Sequence, residues 1–152
     1  MDAAMLRVDH EADLPDWAPR AQLAQFFHET MEPYNDTLQD VEKALDYLFS
    51  SEKGEGGYLI LAQHDGKLAG ALAMLNTGMK GYVPSWILLF VTVDPSMRGK
   101  GLGGKIIDFA LNEADGPVKL HVEYDNPAKR LYERIGFTSK YAEMRYDPKS
   151  AG

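Results

Sequence analysis

The 152-residue chain contains no cysteine. Disulfides, cysteine nucleophiles, thiolate metal sites and iron–sulfur clusters are therefore excluded together. Long apolar runs are also missing: the longest, residues 86–91, is the size of a strand and far short of the roughly 20 residues of a membrane-spanning helix. The N-terminus is acidic and lacks the apolar stretch of a secretory signal. We therefore expect a cytoplasmic protein that is not bound to membranes.

Basic residues are scarce, with 16 Lys and Arg against 23 Asp and Glu, and the net charge is −7. This balance argues against broad binding of nucleic acid or of anionic membranes, which needs a basic surface. The histidines show no metal-ligand spacing, and we expect no metal. The length and the 45% hydrophobic content predict one globular domain over residues 1–152.

Apolar periodicity predicts the element order β-α-α-β-β-β-α-β-α-β. Asp65-Gly66 between two apolar runs predicts a hairpin, and Thr37 predicts a helix N-cap. Residues 86–93 are apolar almost throughout, which is typical of a strand buried on both faces. The last two strands are predicted at residues 118–124 and 141–146. A hairpin followed by a β-α-β unit predicts an α/β (α+β) fold, in which helices flank a mixed, mostly antiparallel sheet.

The most informative segment follows the buried strand and opens a helix. It reads Arg98-Gly99-Lys100-Gly101-Leu102-Gly103-Gly104-Lys105. Glycines allow sharp turns and close approach of a ligand, and backbone N–H groups at a helix N-terminus bind anions. Residues 95–107 include three basic side chains and no acidic one. The segment predicts a phosphate site, and the alternative is a tight turn whose glycines serve packing alone.

Three phosphate-binding patterns compete for this loop. The P-loop pattern fails because Ile106 stands where a magnesium-binding Ser or Thr is needed. The dinucleotide fingerprint is met by Gly99, Gly101 and Gly104, but five residues separate it from its strand. Only 28 residues follow Tyr124, too few for a doubly wound sheet. A dinucleotide-binding protein is therefore the weaker alternative.

The third pattern, R-x-x-G-x-G, is met by Arg98, Gly101 and Gly103. Residues 91–107 (VTVDPSMRGKGLGGKII) and 121–137 (HVEYDNPAKRLYERIGF) resemble motifs A and B of the GNAT superfamily of N-acetyltransferases. The resemblance implies a GNAT-like acyl-CoA N-acyltransferase fold. It also implies transfer of an acetyl group from acetyl-CoA to a primary amine of a small molecule or peptide, by direct attack in a ternary complex.

The same resemblance implies which residues contact the cosubstrate. The glycine loop would hold the pyrophosphate through backbone N–H groups, and the preceding strand would pair with the pantetheine arm and supply an oxyanion donor. Asn126, or Asp125 in its place, would contact the arm from the start of the next helix. The expected cofactor-binding residues are Val91, Thr92, Val93, Arg98, Gly99, Lys100, Gly101, Leu102, Gly103, Gly104 and Asn126.

The catalytic residues that the resemblance implies are Tyr132, His121 and Glu123. Tyr132 matches the family's general acid toward the coenzyme A thiolate, and a phenol stays protonated at neutral pH. The general base is harder to assign, because residues 86–92 include no ionisable side chain. His121 is preferred to Glu123, since an imidazole's ordinary pKa of about 6.5 suits a base. Water or an amine that arrives neutral would need neither.

The acceptor amine and the oligomeric state are not fixed by the sequence. Residues 31–36 and 78–84 are two candidate acceptor loops, and the acidity of the first favours a cationic amine. A homodimer is compatible with the sequence, as relatives often dimerise. The alternative from another class is a non-catalytic acyl-CoA-binding module that lacks an acceptor site.

Overall fold

The computed structural model describes residues 3–33 and 36–148. In the described residues five strands form one sheet in the order β1-β2-β3-β4-β5, and only β4 and β5 pair in parallel. The mixed, mostly antiparallel sheet that the sequence predicts is thereby confirmed. The elements are β1 Ala4–Val8, α1 Arg20–Thr30, α2 Leu38–Leu48, β2 Gly57–His64, β3 Lys67–Asn76, β4 Trp86–Val93, α3 Leu102–Glu113, β5 Val118–Leu120 and α4 Ala128–Ile135.

Local sequence signals account for several of these boundaries. Asp65 and Gly66 join β2 to β3 with φ angles of 53° and 74°, as a two-residue turn with both central residues at positive φ requires. Thr37 caps α2, and its hydroxyl accepts a hydrogen bond from the Asp40 N–H at 3.1 Å. The predicted hairpin and the predicted N-cap are both confirmed.

Helices cover both faces of the sheet in the part of the chain up to Leu120. On one face α1 and α2 pack through Phe27 and Leu45 against residues of β2, β3 and β4, among them Phe90. On the other face α3 packs against the same three strands. A Cβ at Gly70 on β3 would lie 2.5 Å from the Ile106 Cδ1 atom of α3. Glycine at this position therefore allows α3 to approach the sheet closely, since a larger residue would force the Ile106 side chain to move.

Strand β4 is less buried than its apolar sequence predicts. Leu88, Phe90 and Thr92 are buried, whereas the residues between them are half-buried. The expectation of burial on both faces was wrong, because a nearly continuous apolar run does not by itself report how closely each face is covered.

A β-bulge interrupts β4 at Leu89. On β3 the neighbouring residues Ala73 and Met74 pair with Phe90 and Leu88, which leaves Leu89 as the extra residue. Pairing of β4 with β5 ends at the same place, because it includes only residues 86–88 of β4. The strand predicted at residues 118–124 therefore ends at Leu120: β4 offers β5 three partners before it bends.

Residues from His121 onward form a second, smaller compact unit. Its helix α4 ends at Gly136, whose φ is 126°, and the Phe137 N–H donates to the Tyr132 carbonyl. The predicted strand at residues 141–146 is wrong: residues 138–148 form no helix or strand. The large side chains there, such as Met144, are exposed, so neither face of a strand would be buried. One domain over residues 1–152 stays a prediction.

Candidate active site

The glycine loop turns from β4 into α3 with its backbone open to the outside. Asp94 accepts a hydrogen bond from the Ser96 N–H at 3.0 Å and begins a short 3-10 turn after β4. Gly99 and Gly101 then adopt φ angles of 76° and 80°, where other residues are strained. A Cβ at either glycine would meet no atom within 4 Å. Backbone conformation, and not packing, therefore explains these two glycines.

The N-terminus of α3 has the features of an anion site. Gly101 is its N-cap residue and offers no side-chain acceptor, and the first turn includes no acidic residue. The N–H groups of Leu102, Gly103 and Gly104 belong to the first turn, where an α-helix provides no internal partner. Together with the helix dipole these donors favour a phosphate group.

The charges around the loop point the same way. Arg98, Lys100 and Lys105 are exposed, and within the described residues none of the three forms an ion pair with a carboxylate. A protein with a net charge of −7 thus keeps a locally positive loop. The chemistry of this donor set fits a pyrophosphate.

Three residues connect the loop and β4 to the end of α1. Buried Thr92 donates from its hydroxyl to the Thr30 Oγ1 at 2.8 Å, and Thr30 donates in turn to the Phe26 carbonyl. The Arg98 Nη2 donates to the Thr30 carbonyl at 2.6 Å. No local signal in the sequence reveals the role of Thr30, because 68 residues separate it from Arg98.

The backbone of β4 beyond the bulge has an unpaired side. Leu89 to Val93 lie next to β3 on one side, and no described strand pairs with them on the other. In such an edge every second residue directs its N–H and C=O away from its partner. These groups, including those of Val91 and Val93, can accept an extended ligand as an added strand.

Tyr132 lies on α4 in the second unit. Its ring packs edge-on against Phe137 with 5.8 Å between the centroids, and its side chain is only 9% exposed. Burial raises the pKa of Tyr132 to about 12, so the phenol keeps its proton throughout the neutral range.

The other predicted residues of the second unit are more exposed. Asn126 accepts a hydrogen bond from the Ala128 N–H at 2.9 Å through its Oδ1, which uses one half of the amide to begin α4. His121 and Glu123 are exposed and follow the end of β5. The strand predicted at residues 118–124 therefore does not include these two residues.

A cavity of about 590 Å³ lies at the opposite end of β4 from the glycine loop. Trp86, Asp115, Lys53 and Lys80 line it, together with residues of the 78–84 loop. Because an eight-residue strand such as β4 spans roughly 25 Å, this cavity is far from the glycine loop. Of the two candidate acceptor loops, only residues 31–36 adjoin the end of α1 that contacts Arg98. Tyr34 and Asn35 in that loop lie outside the described residues.

Two further properties concern the described residues only. Within residues 3–33 and 36–148, no three His, Asp or Glu side chains are grouped so that they could hold a metal ion. In the same ranges no helix has the length and apolarity to cross a bilayer.

Comparison with known proteins supports the acetyltransferase resemblance. Residues 20–137 match the sequence profile of the Acetyltransferase (GNAT) family. The chain is 30% identical over 102 residues to mycothiol acetyltransferase of Arthrobacter sp. (strain FB24), which covers 63% of this chain and 32% of that protein. It is 31% identical over 94 residues to 5-NmdU N-acetyltransferase of Pseudomonas phage PaMx11, which covers 60% and 65%. The matches therefore span less than two thirds of either relative.

A solved structure shares the whole architecture. An aminoglycoside acetyltransferase from an uncultured soil metagenomic sample, in complex with sisomicin, aligns with a TM-score of 0.67 and 20% identity, covering 97% of each chain. At this identity the likeness shows the fold, and the fold is not the doubly wound sheet of a dinucleotide-binding protein. By its sequence match over residues 20–137, the chain belongs to the GNAT acetyltransferase family.

Proposed function

We propose that the protein transfers an acetyl group from acetyl-CoA to a primary amine. The observation that carries the proposal is the loop formed by Gly99 and Gly101. It combines open space above two positive-φ glycines, a helix N-terminus without a capping side chain, and three basic residues that have no carboxylate partner among the described residues. The family uses acetyl-CoA as its cosubstrate, and this loop fits its pyrophosphate.

The residues before the loop have a complementary role. The unpaired backbone groups of Val91 and Val93, with Thr92 between them, would hold the pantetheine arm, and an N–H of this strand would donate to the oxyanion that develops on the acetyl carbonyl. Strand geometry suits this task, since the donors are fixed by the β3 ladder before any ligand arrives. Asn126 would contact the arm through the Nδ2 half of its amide.

Tyr132 is the proposed proton donor to the leaving thiolate. In the transfer, the amine nitrogen bonds to the acetyl carbon, the carbon–sulfur bond breaks, and the sulfur takes the phenol proton. A phenol with a pKa of about 12 holds this proton more firmly than an ordinary tyrosine. Such a phenol is protonated before the reaction at every neutral pH, as a proton donor must be.

The amine must lose a proton to a base, and His121 is the proposed acceptor, with Glu123 as the alternative. Both are exposed, so each can pass a proton directly to water. The kcat/KM of His121→Gln and Glu123→Gln across pH 5–9 decides between them. Loss of the acidic limb in His121→Gln alone supports the assignment, loss in Glu123→Gln alone reverses it, and an unchanged limb in both assigns it to the amine or to water.

The acceptor is proposed to be a small molecule or peptide that bears a primary amine. The relatives in the comparison are named for the acetylation of mycothiol, of 5-NmdU and of aminoglycosides. Glu32 and Asp36, in the loop that adjoins α1, are exposed and acidic. They favour a cationic amine.

Release of coenzyme A thiol from acetyl-CoA with a panel of amines tests the function. Tyr132→Phe should lower kcat by about 10²-fold or more and leave the Kd for acetyl-CoA near the wild-type value. Tyr124→Phe, at an exposed tyrosine of the same unit, is the matched control. Thiol release with no amine, despite acetyl-CoA binding, would favour an acyl-CoA-binding module. Stabilisation by NAD instead of acetyl-CoA would contradict the proposal outright.

A further inference from the structure

The cavity at the Trp86 end of β4 is built by three loops that meet there. Its lining residues come from the loops before β2, after β3 and before β5 and from the start of β4, and all of them belong to the unit that ends at Leu120. Its volume of about 590 Å³ lies within the roughly 300–1,000 Å³ that is typical of small-molecule sites. The size therefore suits a small organic ligand.

Hydrogen bonds within the chain hold the walls of this cavity in place. The Thr77 N–H donates to the Ser85 carbonyl at 2.8 Å, and the Trp86 N–H donates to the Pro117 carbonyl at 3.2 Å. The Thr77 hydroxyl donates in addition to the Pro84 carbonyl at 2.7 Å. A ligand would thus enter a site that is already formed, which limits the entropy lost on binding.

The charges that line the cavity favour an anion. Lys53 and Lys80 are exposed, and neither forms an ion pair with a carboxylate in the part of the chain that the structure describes. Glu52 and Glu55 are close to Lys53 in the sequence but do not line the cavity. Among the described lining residues only Asp115 is acidic, so positive charge exceeds negative charge there, in a protein whose net charge is −7.

Asp115 is already engaged by a neighbour, and this contact orients an aromatic ring. Its Oδ1 accepts a hydrogen bond from the Trp86 Nε1 at 2.8 Å. The indole also packs edge-on against Tyr58, with 5.3 Å between the ring centroids. Trp86 is half-buried and lines the cavity, so it offers a ligand an aromatic surface that is held in one orientation.

We propose that this cavity is a second ligand site, which binds a small aromatic anion. The ammonium groups of Lys53 and Lys80 would contact its carboxylate or phosphate group, and the indole of Trp86 would pack against its ring. A cationic amine would be disfavoured there by the two lysines. The site goes beyond acetyl transfer and is independent of it, since the length of β4 separates the cavity from the glycine loop.

The indole N–H of Trp86 reports on the cavity directly. The chain has two tryptophans, so a proton–nitrogen correlation spectrum shows two indole signals, and Trp17→Phe identifies the one that belongs to Trp86. Phenyl phosphate is the probe, and we expect it to shift the Trp86 signal in a saturable manner. The Trp17 signal should stay in place, because Trp17 packs against the core cluster that includes Phe27 and Leu45.

The charge and the ring of the probe are tested separately. Inorganic phosphate lacks the ring and should bind at least about threefold more weakly than phenyl phosphate. Benzylamine has the ring and the opposite charge, and it should give no saturable shift. Binding of either compound as tightly as phenyl phosphate would overturn the proposal, as would the absence of a saturable Trp86 shift up to about 10 mM phenyl phosphate.

A double variant tests the lysines. Lys53→Gln combined with Lys80→Gln should weaken phenyl phosphate binding by about five- to tenfold, as the loss of two exposed charges allows. The matched control combines Lys100→Gln with Lys105→Gln, which changes the net charge equally at the other end of β4. It should leave the Trp86 titration unchanged. Equal weakening in the two double variants would show a general charge effect and overturn the site.

Acetyl-CoA affinity distinguishes this site from the proposed function. The Lys53 and Lys80 double variant should bind acetyl-CoA as the wild type does, whereas the Lys100 and Lys105 double variant should bind it more weakly. A loss of acetyl-CoA affinity as large in the first as in the second would overturn a separate site. A wild type that binds no acetyl-CoA but still shows the Trp86 titration would contradict the proposed function and support the cavity.

Discussion

The two ends of β4 are both rich in glycine, but Gly78 and Gly116 at one end are packed more closely than Gly99 and Gly101 at the other. At the Trp86 end a Cβ on Gly78 would lie 2.8 Å from the Gly54 carbonyl oxygen, and one on Gly116 would lie 3.1 Å from the Ser85 hydroxyl. At the Val93 end Gly99 and Gly101 have no neighbour within 4 Å. Gly78 combines a left-handed backbone with close packing and Gly116 lies close to Ser85, whereas Gly99 and Gly101 have a left-handed backbone in open space.

Hydrogen bonding differs in the same way. At the Trp86 end the Tyr47 hydroxyl donates to the carbonyls of Gly54 and Asn76, and the Trp86 indole donates to Asp115. The loops there satisfy their own polar groups. At the start of α3, by contrast, no side chain caps the backbone N–H groups. Glycine content therefore indicates a ligand-binding loop only where backbone N–H groups are left without hydrogen-bond partners.

The largest effect should come from adding a negative charge at the open end. Gly101→Glu places a strained, acidic residue in the phosphate site, and acetyl-CoA affinity measured by calorimetry should fall by about a hundredfold or more. Gly81→Glu is the matched control, because Gly81 has a φ of 93°, an equally empty surround and a place at the Trp86 end. Equal losses in both variants would contradict the assignment of the loop.

Substitution by alanine should lower the free energy of unfolding more at the packed Gly78 than at the open Gly99. Gly78→Ala combines a φ of 75° with a contact that must shift, and should reduce the free energy of unfolding by about 2–5 kcal/mol. Gly99→Ala has nearly the same φ, 76°, but free space, and should cost only about 1–2 kcal/mol. Urea unfolding measures both, and indistinguishable midpoints would refute the contrast.

Helix α3 shows the same asymmetry between its own two ends. Its C-terminal carbonyl at Ala110 accepts from the buried Tyr58 hydroxyl at 2.8 Å. Tyr58→Phe leaves this carbonyl unsatisfied and should cost about 1–3 kcal/mol at neutral pH.

The same tyrosine gives a pH dependence. Burial raises the pKa of Tyr58 to about 12, so the unfolded chain releases this proton first, near pH 10. The free energy of unfolding therefore falls as pH rises from about 10 to 12. The decline should be shallower in Tyr58→Phe than in the control Tyr124→Phe, and parallel curves would exclude Tyr58 as a source.

The smallest effect concerns the exposed lysines. Lys100→Gln should weaken acetyl-CoA binding only a few-fold, because a single exposed charge contributes about 1 kcal/mol or less and is screened by salt. Lys80→Gln at the Trp86 end should have no effect. A loss that persists at 0.5 M salt would show that Lys100 acts through more than its charge.

Features that depend on residues close together in the chain were predicted from the sequence. Thr37, Asp65-Gly66 and the residues of β4 act through neighbours in the chain, so the sequence predicted the N-cap, the hairpin and the bounds of β4. The R-x-x-G-x-G pattern likewise predicted a glycine turn, because positive φ at Gly99 and Gly101 is a local property of the backbone.

Features that depend on pairing were not predictable. The alternation in residues 118–124 extends past Leu120, but the bulge at Leu89 arises from the register of β4 against β3 and ends the β5 ladder early. The contact of Arg98 with Thr30 likewise joins distant positions. The close contact at Gly70 depends on where Ile106 lies, and the sequence alone does not show it.

Because pairing with β5 ends at the bulge, β4 has an unpaired side from Leu89 to Val93, although it is not an outer strand of the sheet. An unpaired strand side can pair with strands of other chains. A ligand that lies along Leu89 to Val93 would cover this side as well as present its acetyl group. Any molecule that binds only the folded state stabilises it, by about 2.7 kcal/mol at a hundredfold excess over its Kd. We therefore expect the bare protein to be the aggregation-prone form, and its abundance in a cell to follow the supply of acetyl-CoA.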